Sequence, residues 1–415
     1  DPDDELCIWD NSNIQESYTG VTTPLTFTFA RRAYQHVYRQ FCRVMQVPPG
    51  RIEQASRVFP RMLGLIRGRV YYNLINWYHV LALLPGYNIN RRFMEQMMGV
   101  KEPMPDEVVE HVAEEYQVGK IADTAHLLQT VAGLIWNHLT IPGQIRRFYL
   151  RLNHALEPLD GPLDRCSGGE LVAHYRRLEN QLLEKWDAPI INDFLAMIHH
   201  GLLRSLCANW LHDKSGTLQN ELLLAEGEII SAEPPRRIME MARVARTHDG
   251  LPALLADPDR APREKLAAVE ACPELRTLYQ AYLDKFGDRC LEELKLESPN
   301  LHHDPSSLLA SIGAMAQRSS RESEPDQRPA PPVPHFANLL QAVFFRWVLR
   351  HASNRVRDRE NLRFERTRVF GRVRQIMREL GRRLAADDQL DDPLDVFYLE
   401  LDEILGAFDH TSAGT

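Results

Sequence analysis

Residues 341–384, QAVFFRWVLRHASNRVRDRENLRFERTRVFGRVRQIMRELGRRL, constrain this chain more than any other stretch. They contain no proline, and their apolar residues recur at spacings of three and four, which predicts one continuous helix about 65 Å long at ~1.5 Å per residue. Phe345, Leu349, Ala352 and Val356 mark one face, and Phe370, Val373, Met377, Leu380 and Leu384 continue it. Between the two runs the stripe is interrupted by Arg359, Glu360, Arg363 and Arg366. Burying unpaired guanidinium groups costs several kcal/mol each, so a helix that faces a core at both ends and is charged in the middle is expected to cross a polar cleft there. The segment holds 13 arginines and no lysine against four acids, a balance of +9; the whole chain carries −8, which leaves −17 elsewhere. Arginine presents a planar fork suited to phosphate and carboxylate, so the gap is a candidate anion site. For the outer arginines, Arg346, Arg357, Arg368 and Arg382, the expectation is a solvated face laced with ion pairs.

The remaining 370 or so residues, taking ~3.6 per helical turn, read as an all-α, predominantly helical fold with few or no strands: a large irregular helical domain with the Arg-rich helix near its C-terminus. A chain of 415 residues with 44% hydrophobic and 26% charged residues can bury a sizeable core. Residues 1–316 are expected to form a helical body with an N-terminal loop and an apolar aromatic helix. Residues 317–337, QRSSRESEPDQRPAPPVPHFA, are polar and proline-rich and are read as a disordered insert. Residues 338–415 supply the long helix and a helical tail, packed on the body as one domain. The net charge argues against nucleic-acid or anionic-membrane partners, since the positive charge is confined to one helix. Six cysteines without a CxxC pair predict free thiols and a cytoplasmic, reducing environment. No uninterrupted apolar run reaches membrane-spanning length, and the acidic start without an initiator methionine suggests a piece of a longer chain.

Two further stretches carry candidate sites. In NSNIQESYTGVTTPLTFTFARRAYQ, Thr23 is the expected N-cap of a helix opened by Pro24. The polar set before it, including Asn13, Gln15, Glu16, Ser17 and Thr22, gathers at a helix N-terminus, where free backbone N–H groups favour anions; a capped surface loop is the alternative. Residues 62–84, MLGLIRGRVYYNLINWYHVLALL, are expected to form an apolar helix. It is either core or one wall of an apolar ligand pocket, with Tyr72, Asn73, Asn76 and Trp77 as the pocket candidates. Other amphipathic segments are expected at 105–117, 121–138, 142–156, 170–187, 188–212, 264–286 and from 306, with residues 250–264 a loop-rich spacer. GxxxxGK[ST], GxGxxG and GxSxG are all missing, so no catalytic residue is assigned. The pairs His199-His200 and His302-His303 cannot chelate in the i,i+4 manner, and no metal is expected.

Four segments together resemble the phosphoenolpyruvate synthase and pyruvate phosphate dikinase group, and within it the central domain of the rifampin phosphotransferase type. They are NIQESYTGVTTPLT, GRVYYNLINWYHVLALLPG, FGDRCLEELKLESPNLHHDP, and RDRENLRFERTRVFGRVRQIMRELGRRL with its sequel DVFYLELDEI. The resemblance implies an acceptor-binding domain that works with an ATP-grasp domain, a phosphohistidine domain and a small-molecule acceptor. ATP and Mg²⁺ would be cofactors of the parent protein, with none bound by this stretch. It points to Gln15, Glu16, Arg289, Glu293, Arg359, Glu360 and Arg363 as acceptor- or phosphoryl-binding residues. The form FGDRCLEE, with Asp288, Cys290 and Leu291 where the family carries FGHRGPGE-like sequences, leaves the acceptor open. A non-catalytic helical scaffold that docks an acidic partner on the Arg-rich helix is the competing expectation, and a stand-alone binder of a hydrophobic antibiotic-like molecule is a third.

Overall fold

The computed structural model describes residues 7–85, 105, 112, 116, 120–157, 161–213, 215–225, 230–290, 292–318, 336 and 338–409. The expected segment at 105–117 and the insert at 317–337 lie almost wholly outside the described residues. The fold is predominantly helical, with one small three-stranded antiparallel sheet. Two compact units divide the chain: one comprises Asp1–Ile191, Leu294–Glu297 and Arg372–Thr415, the other Asn192–Glu293 and Ser298–Gly371. Among the described residues, no helix is long and apolar enough to cross a membrane.

The first unit begins with a short strand β1, Trp9–Asp10, and a 3₁₀ turn at Ile14–Glu16. Helix Pro24–Val44 starts at Thr23 with Pro24 in its first turn, as the sequence predicts. The cap itself comes from elsewhere. The Thr23 side chain makes no capping bond; the Glu297 carboxylate accepts from the Thr23 backbone N–H at 3.2 Å and from the Thr26 hydroxyl at 2.5 Å. A carboxylate there satisfies donors that the helix cannot and suits the positive end of its dipole. The Leu296 N–H donates to Thr26 Oγ1 at 2.8 Å, and Lys295 Nζ donates to the Thr19 carbonyl at 2.8 Å. On the other side of the same segment, the fully buried Arg374 donates to the carbonyls of Lys295 (2.9 Å) and Leu296 (3.2 Å).

Residues 62–84 differ from expectation. They form strand β2, Leu63–Ile66, strand β3, Arg69–Asn73, and only then a helix, Leu74–Ala82. The hairpin closes through Arg67 and Gly68, both at positive φ (51° and 73°), the backbone that a two-residue loop needs to match strand twist. Leu65 faces Val70 and Leu63 faces Tyr72 across the pair, and β1 adds to the outer edge of β3. The sequence signal is RGR between two short apolar runs; helical spacing of the aromatics hides it.

Three other boundaries moved. Residues 121–156 form one helix, Lys120–Ala155, which runs through Pro142. The expected helix at 264–286 is two, Pro262–Glu270 and Pro273–Phe286, because Pro273 cannot continue a helix already under way and instead opens a new one. The supposed spacer holds a short helix, Leu251–Ala256, with Leu255 fully buried. Helix Gly168–Gln181 is fixed by a capping box in which Ser167 and Glu170 exchange hydrogen bonds.

Among its described residues the second unit has two apolar clusters. One joins helices Glu233–Arg246, Leu251–Ala256, Pro262–Glu270, Pro273–Phe286 and Ser306–Gln317 around Leu255, Val269, Leu275, Phe286, Leu309 and Ile312. The other packs Leu203, Cys207 and Leu222 against Phe345, Val348 and Ala352 of the long helix. That helix spans Leu339–Ala386, slightly longer than expected, and supplies residues to both units.

Two predictions follow from the first unit's interior. Arg374→Ala removes the donors to two buried carbonyls and leaves a cavity, which should cost about 3 kcal/mol in urea denaturation. His174 is fully buried, and burial, reinforced by Arg372 and Arg177, pushes its imidazole down to about 4 from an ordinary value near 6.5. The folded chain therefore binds fewer protons than the unfolded one between those limits. Stability from the neutral ring is complete above the unfolded value and is lost as pH falls toward the folded one. His174→Gln should flatten the fall in denaturation midpoint between about pH 6.5 and 4 relative to the parent chain.

Candidate functional site

The interrupted stripe of the long helix opens onto a cleft in the second unit with a free volume of about 180 Å³. It is lined by Arg289, Glu293, Glu360, Arg363, Phe364, Arg366 and Thr367, with Ile230 and Ser231 at its border. Four of the sequence-predicted residues, Arg289, Glu293, Glu360 and Arg363, thus face one space.

Local packing fixes how they meet. Helix Pro273–Phe286 ends at Gly287, whose N–H donates to the Leu283 carbonyl at 2.7 Å, and the Arg289 N–H donates to the Phe286 carbonyl at 3.0 Å. Phe286, fully buried, meets Phe364 of the long helix edge to face at 5.4 Å between centroids. This aromatic contact sets the loop beside the helix, so that Arg289 and Glu293 stand across from Arg363 and Arg366. The loop is held a second time about two turns further along the helix. At Gly371 an added Cβ would fall 2.2 Å from the Asp288 carboxylate, so the Asp288 side chain lies directly on the helix backbone. Asn300 Nδ2 donates to the same carboxylate at 3.3 Å.

Within the cleft, Glu293 joins both walls. One of its oxygens accepts from Arg289 Nε at 3.0 Å and the other from the Thr367 hydroxyl at 2.9 Å. Glu360 and Arg363 approach at 3.5 Å, a weak pair on an exposed surface. Arg366 has no hydrogen-bond or ion-pair partner among the described residues, although its Nε is shielded from solvent. Three guanidinium groups stand against two carboxylates, and both carboxylates are already engaged by arginines. Such a lining favours an anion over a divalent cation.

The neighbouring charges neutralise one another. Glu365 is buried; burial pushes its carboxyl up while Arg368, at 2.7 Å, opposes the shift. Arg355 is also buried, with hydrogen bonds to Asn192 (3.1 Å) and Asp358 (2.8 Å), and burial lowers the arginine and raises the aspartate. Arg359 pairs with Asp193 at 3.4 Å and is not among the residues lining the cleft. The gap is also narrower than the periodicity predicts, since Leu362, Glu365 and Thr367 within it are buried.

Gln15 and Glu16 belong to the first unit, where they are exposed on the 3₁₀ turn, with Gln15 Nε2 donating to the Ser12 carbonyl at 3.3 Å. The aromatic candidates lie in that unit too. Tyr72 is buried, its hydroxyl 3.5 Å from that of Tyr34, and burial together with Tyr34 raises its phenol well above the ordinary value. Asn73 caps helix Leu74–Ala82 by accepting from the Asn76 N–H at 3.2 Å, and Asn76 Nδ2 donates to the Arg61 carbonyl at 2.9 Å. Trp77 is buried edge-on to Tyr78 at 5.2 Å. Thr367 was not singled out from the sequence, but it lies four residues after Arg363 and seven after Glu360, which places all three on one helix face.

The double hold on the loop is testable. Gly371→Ala should destabilise the chain by about 1–3 kcal/mol in urea denaturation, the range for an overpacked contact. In an Asp288→Ala background most of that cost should vanish, which a double-mutant cycle measures directly.

Residues 190–360 match the family model described as the rifampicin phosphotransferase fourth domain. The matched span nearly coincides with the second unit, which runs from Asn192 to Gly371 apart from Leu294–Glu297. Uncharacterized proteins from Mycobacterium bovis and Mycobacterium tuberculosis are each 30% identical over 250 residues, covering 58% of this chain and 26% of their own length. A rifampicin phosphotransferase from a Streptomyces species is 30% identical over 101 residues, 24% of this chain and 11% of its own. The matched region spans about a quarter of the length of the mycobacterial relatives. These matches show a resemblance to the rifampicin phosphotransferase type.

Proposed function

We propose that the second unit is the acceptor-binding domain of a dikinase-like phosphotransferase, and that its cleft holds the anionic group present when a phosphoryl group reaches the acceptor. The observation that carries this reading is Arg366, a half-buried arginine whose shielded Nε has no hydrogen-bond partner and which makes no ion pair among the described residues, in a lining where Arg289 and Arg363 add charge and Thr367 adds a hydroxyl. A transferring phosphoryl group spreads charge over its equatorial oxygens, and arginines positioned in advance stabilise that charge without reorganising. Glu293 keeps the Arg289 fork and the Thr367 hydroxyl in place. The nucleotide-splitting and histidine-phosphorylating steps belong to other domains of the parent protein, where ATP and Mg²⁺ act.

Titration calorimetry and thermal shift of this chain with inorganic phosphate, phosphoenolpyruvate, pyruvate, AMP and rifampicin test the reading. Phosphate-bearing ligands are expected to bind and to raise the melting temperature as their concentration passes Kd. Arg366→Ala should weaken that binding roughly ten- to a hundredfold, the loss of one charge-assisted contact. Binding that is unchanged in Arg366→Ala and Arg363→Ala removes the cleft from the acceptor site. In the full-length parent, the same variants should lower transfer to the acceptor while ATP cleavage continues.

A further inference from the structure

The N-terminal end of the long helix carries a surface that the cleft does not use. Its inner face, Phe345, Val348, Leu349 and Ala352, is buried in the second apolar cluster of that unit. An outer face opposite such a core is normally polar. Here Leu340 is 81% exposed, Val343 56%, Phe344 43% and Trp347 44%. At ~100° per residue these four form one stripe. The rings of Phe344 and Trp347 stack at 6.0 Å and 20°, so the stripe is a formed surface. Arg346 and Arg350 stand along one edge of it, four residues apart. Arg346 and Arg350 are exposed and have no ion-pair partner among the described residues, and the helix carries no acid before Asp358. Contiguous apolar surface rimmed by charge marks an interaction site on a soluble protein.

We infer that this face docks an amphipathic helix of a partner protein whose apolar stripe is bordered by carboxylates at i, i+4 spacing. Charge complementarity selects that occupant. All the rim cations are arginines, whose forks match carboxylates two bonds at a time, and no acid of this helix segment competes for them. An apolar stripe read at i, i+3, i+4 and i+7 is the geometry in which one helix lies along another. A bilayer is the weaker match: the chain's net charge is −8, which repels an anionic surface. This inference is independent of the cleft.

The test uses the whole 415-residue chain and a synthetic 18-residue helical peptide with leucines at i, i+3, i+4 and i+7 and glutamates along one edge. Titration calorimetry at low salt is expected to give saturable one-to-one binding that weakens as salt rises. Arg346→Glu/Arg350→Glu, two exposed positions at which circular dichroism should report an intact fold, should weaken it at least tenfold. Val343→Gln/Trp347→Ala should weaken it similarly, whereas Arg366→Ala in the cleft should leave it unchanged. The same peptide with lysine for glutamate should not bind. No saturable binding below 1 mM, on the order of a −4 kcal/mol interaction, overturns the inference. It is equally overturned by association with phosphatidylserine vesicles in place of the peptide, or by a dimer in sedimentation that the arginine reversals abolish.

Discussion

The first unit depends on how Leu294–Glu297 is gripped from two sides. A guanidinium buried without hydrogen bonds would cost several kcal/mol, so Arg374 can be fully buried only if carbonyls meet it. Those of Lys295 and Leu296 do, and this ties four residues of one segment to the long helix. The remaining polar groups of that segment then face helix Pro24–Val44, where Glu297 serves as the cap that Thr23 does not provide. Arg374, the segment and the helix start form a single hydrogen-bonded unit, and removing one member leaves the others with buried, unsatisfied atoms.

Position on the long helix gives one residue type three different roles. Arg374 and Arg355 face inward and are used as multi-donor hydrogen-bonding groups. Arg359, Arg368 and Arg382 reach acids close by, Asp193, Glu365 and Glu379, and are neutralised. Arg366 lines the cleft and makes no ion pair among the described residues, with Asp193 acting on it only at longer range. The count of +9 for the segment already includes Glu365 and Glu379, so of the three ion pairs only the one with Asp193 lowers it. Among the described residues, the arginines that make no ion pair include Arg366 at the cleft and Arg346 and Arg350 on the outer rim.

Much of this was legible in the sequence because period and composition record which face a helix buries. The long helix, its interrupted stripe and the start at Pro24 all follow from spacing and proline placement. Arg289 and Glu293 were indicated only by resemblance, since neither lies on a periodic element. The hairpin at residues 63–73 was hidden because its aromatic residues also fit a helical spacing, and only Arg67-Gly68 carried the turn. Glu297 could not be found as a cap, since it is 274 residues from Thr23 and capping rules read only local neighbours. Arg359 pairs with Asp193 for the same kind of reason: tertiary contact, which one sequence does not display, decides between two equally available directions for a long side chain.

The narrowing of the gap by Leu362 bears on how the cleft can work. A wide polar interruption would have left the helix without support where Arg363 and Arg366 project. Instead Leu362 is buried and Phe364 lies against Phe286, so apolar anchors flank Arg363 on both sides and stand two residues before Arg366. Each anchor fixes the backbone from which a neighbouring guanidinium extends. Arginines that stabilise a transient charge do so only if their positions are set before it arrives, because a flexible side chain would spend the gain on its own ordering. Alternation of anchor and arginine along residues 362–367 meets that requirement with one turn and a half of helix, and it explains why the cleft needs the aromatic contact as much as it needs the charges.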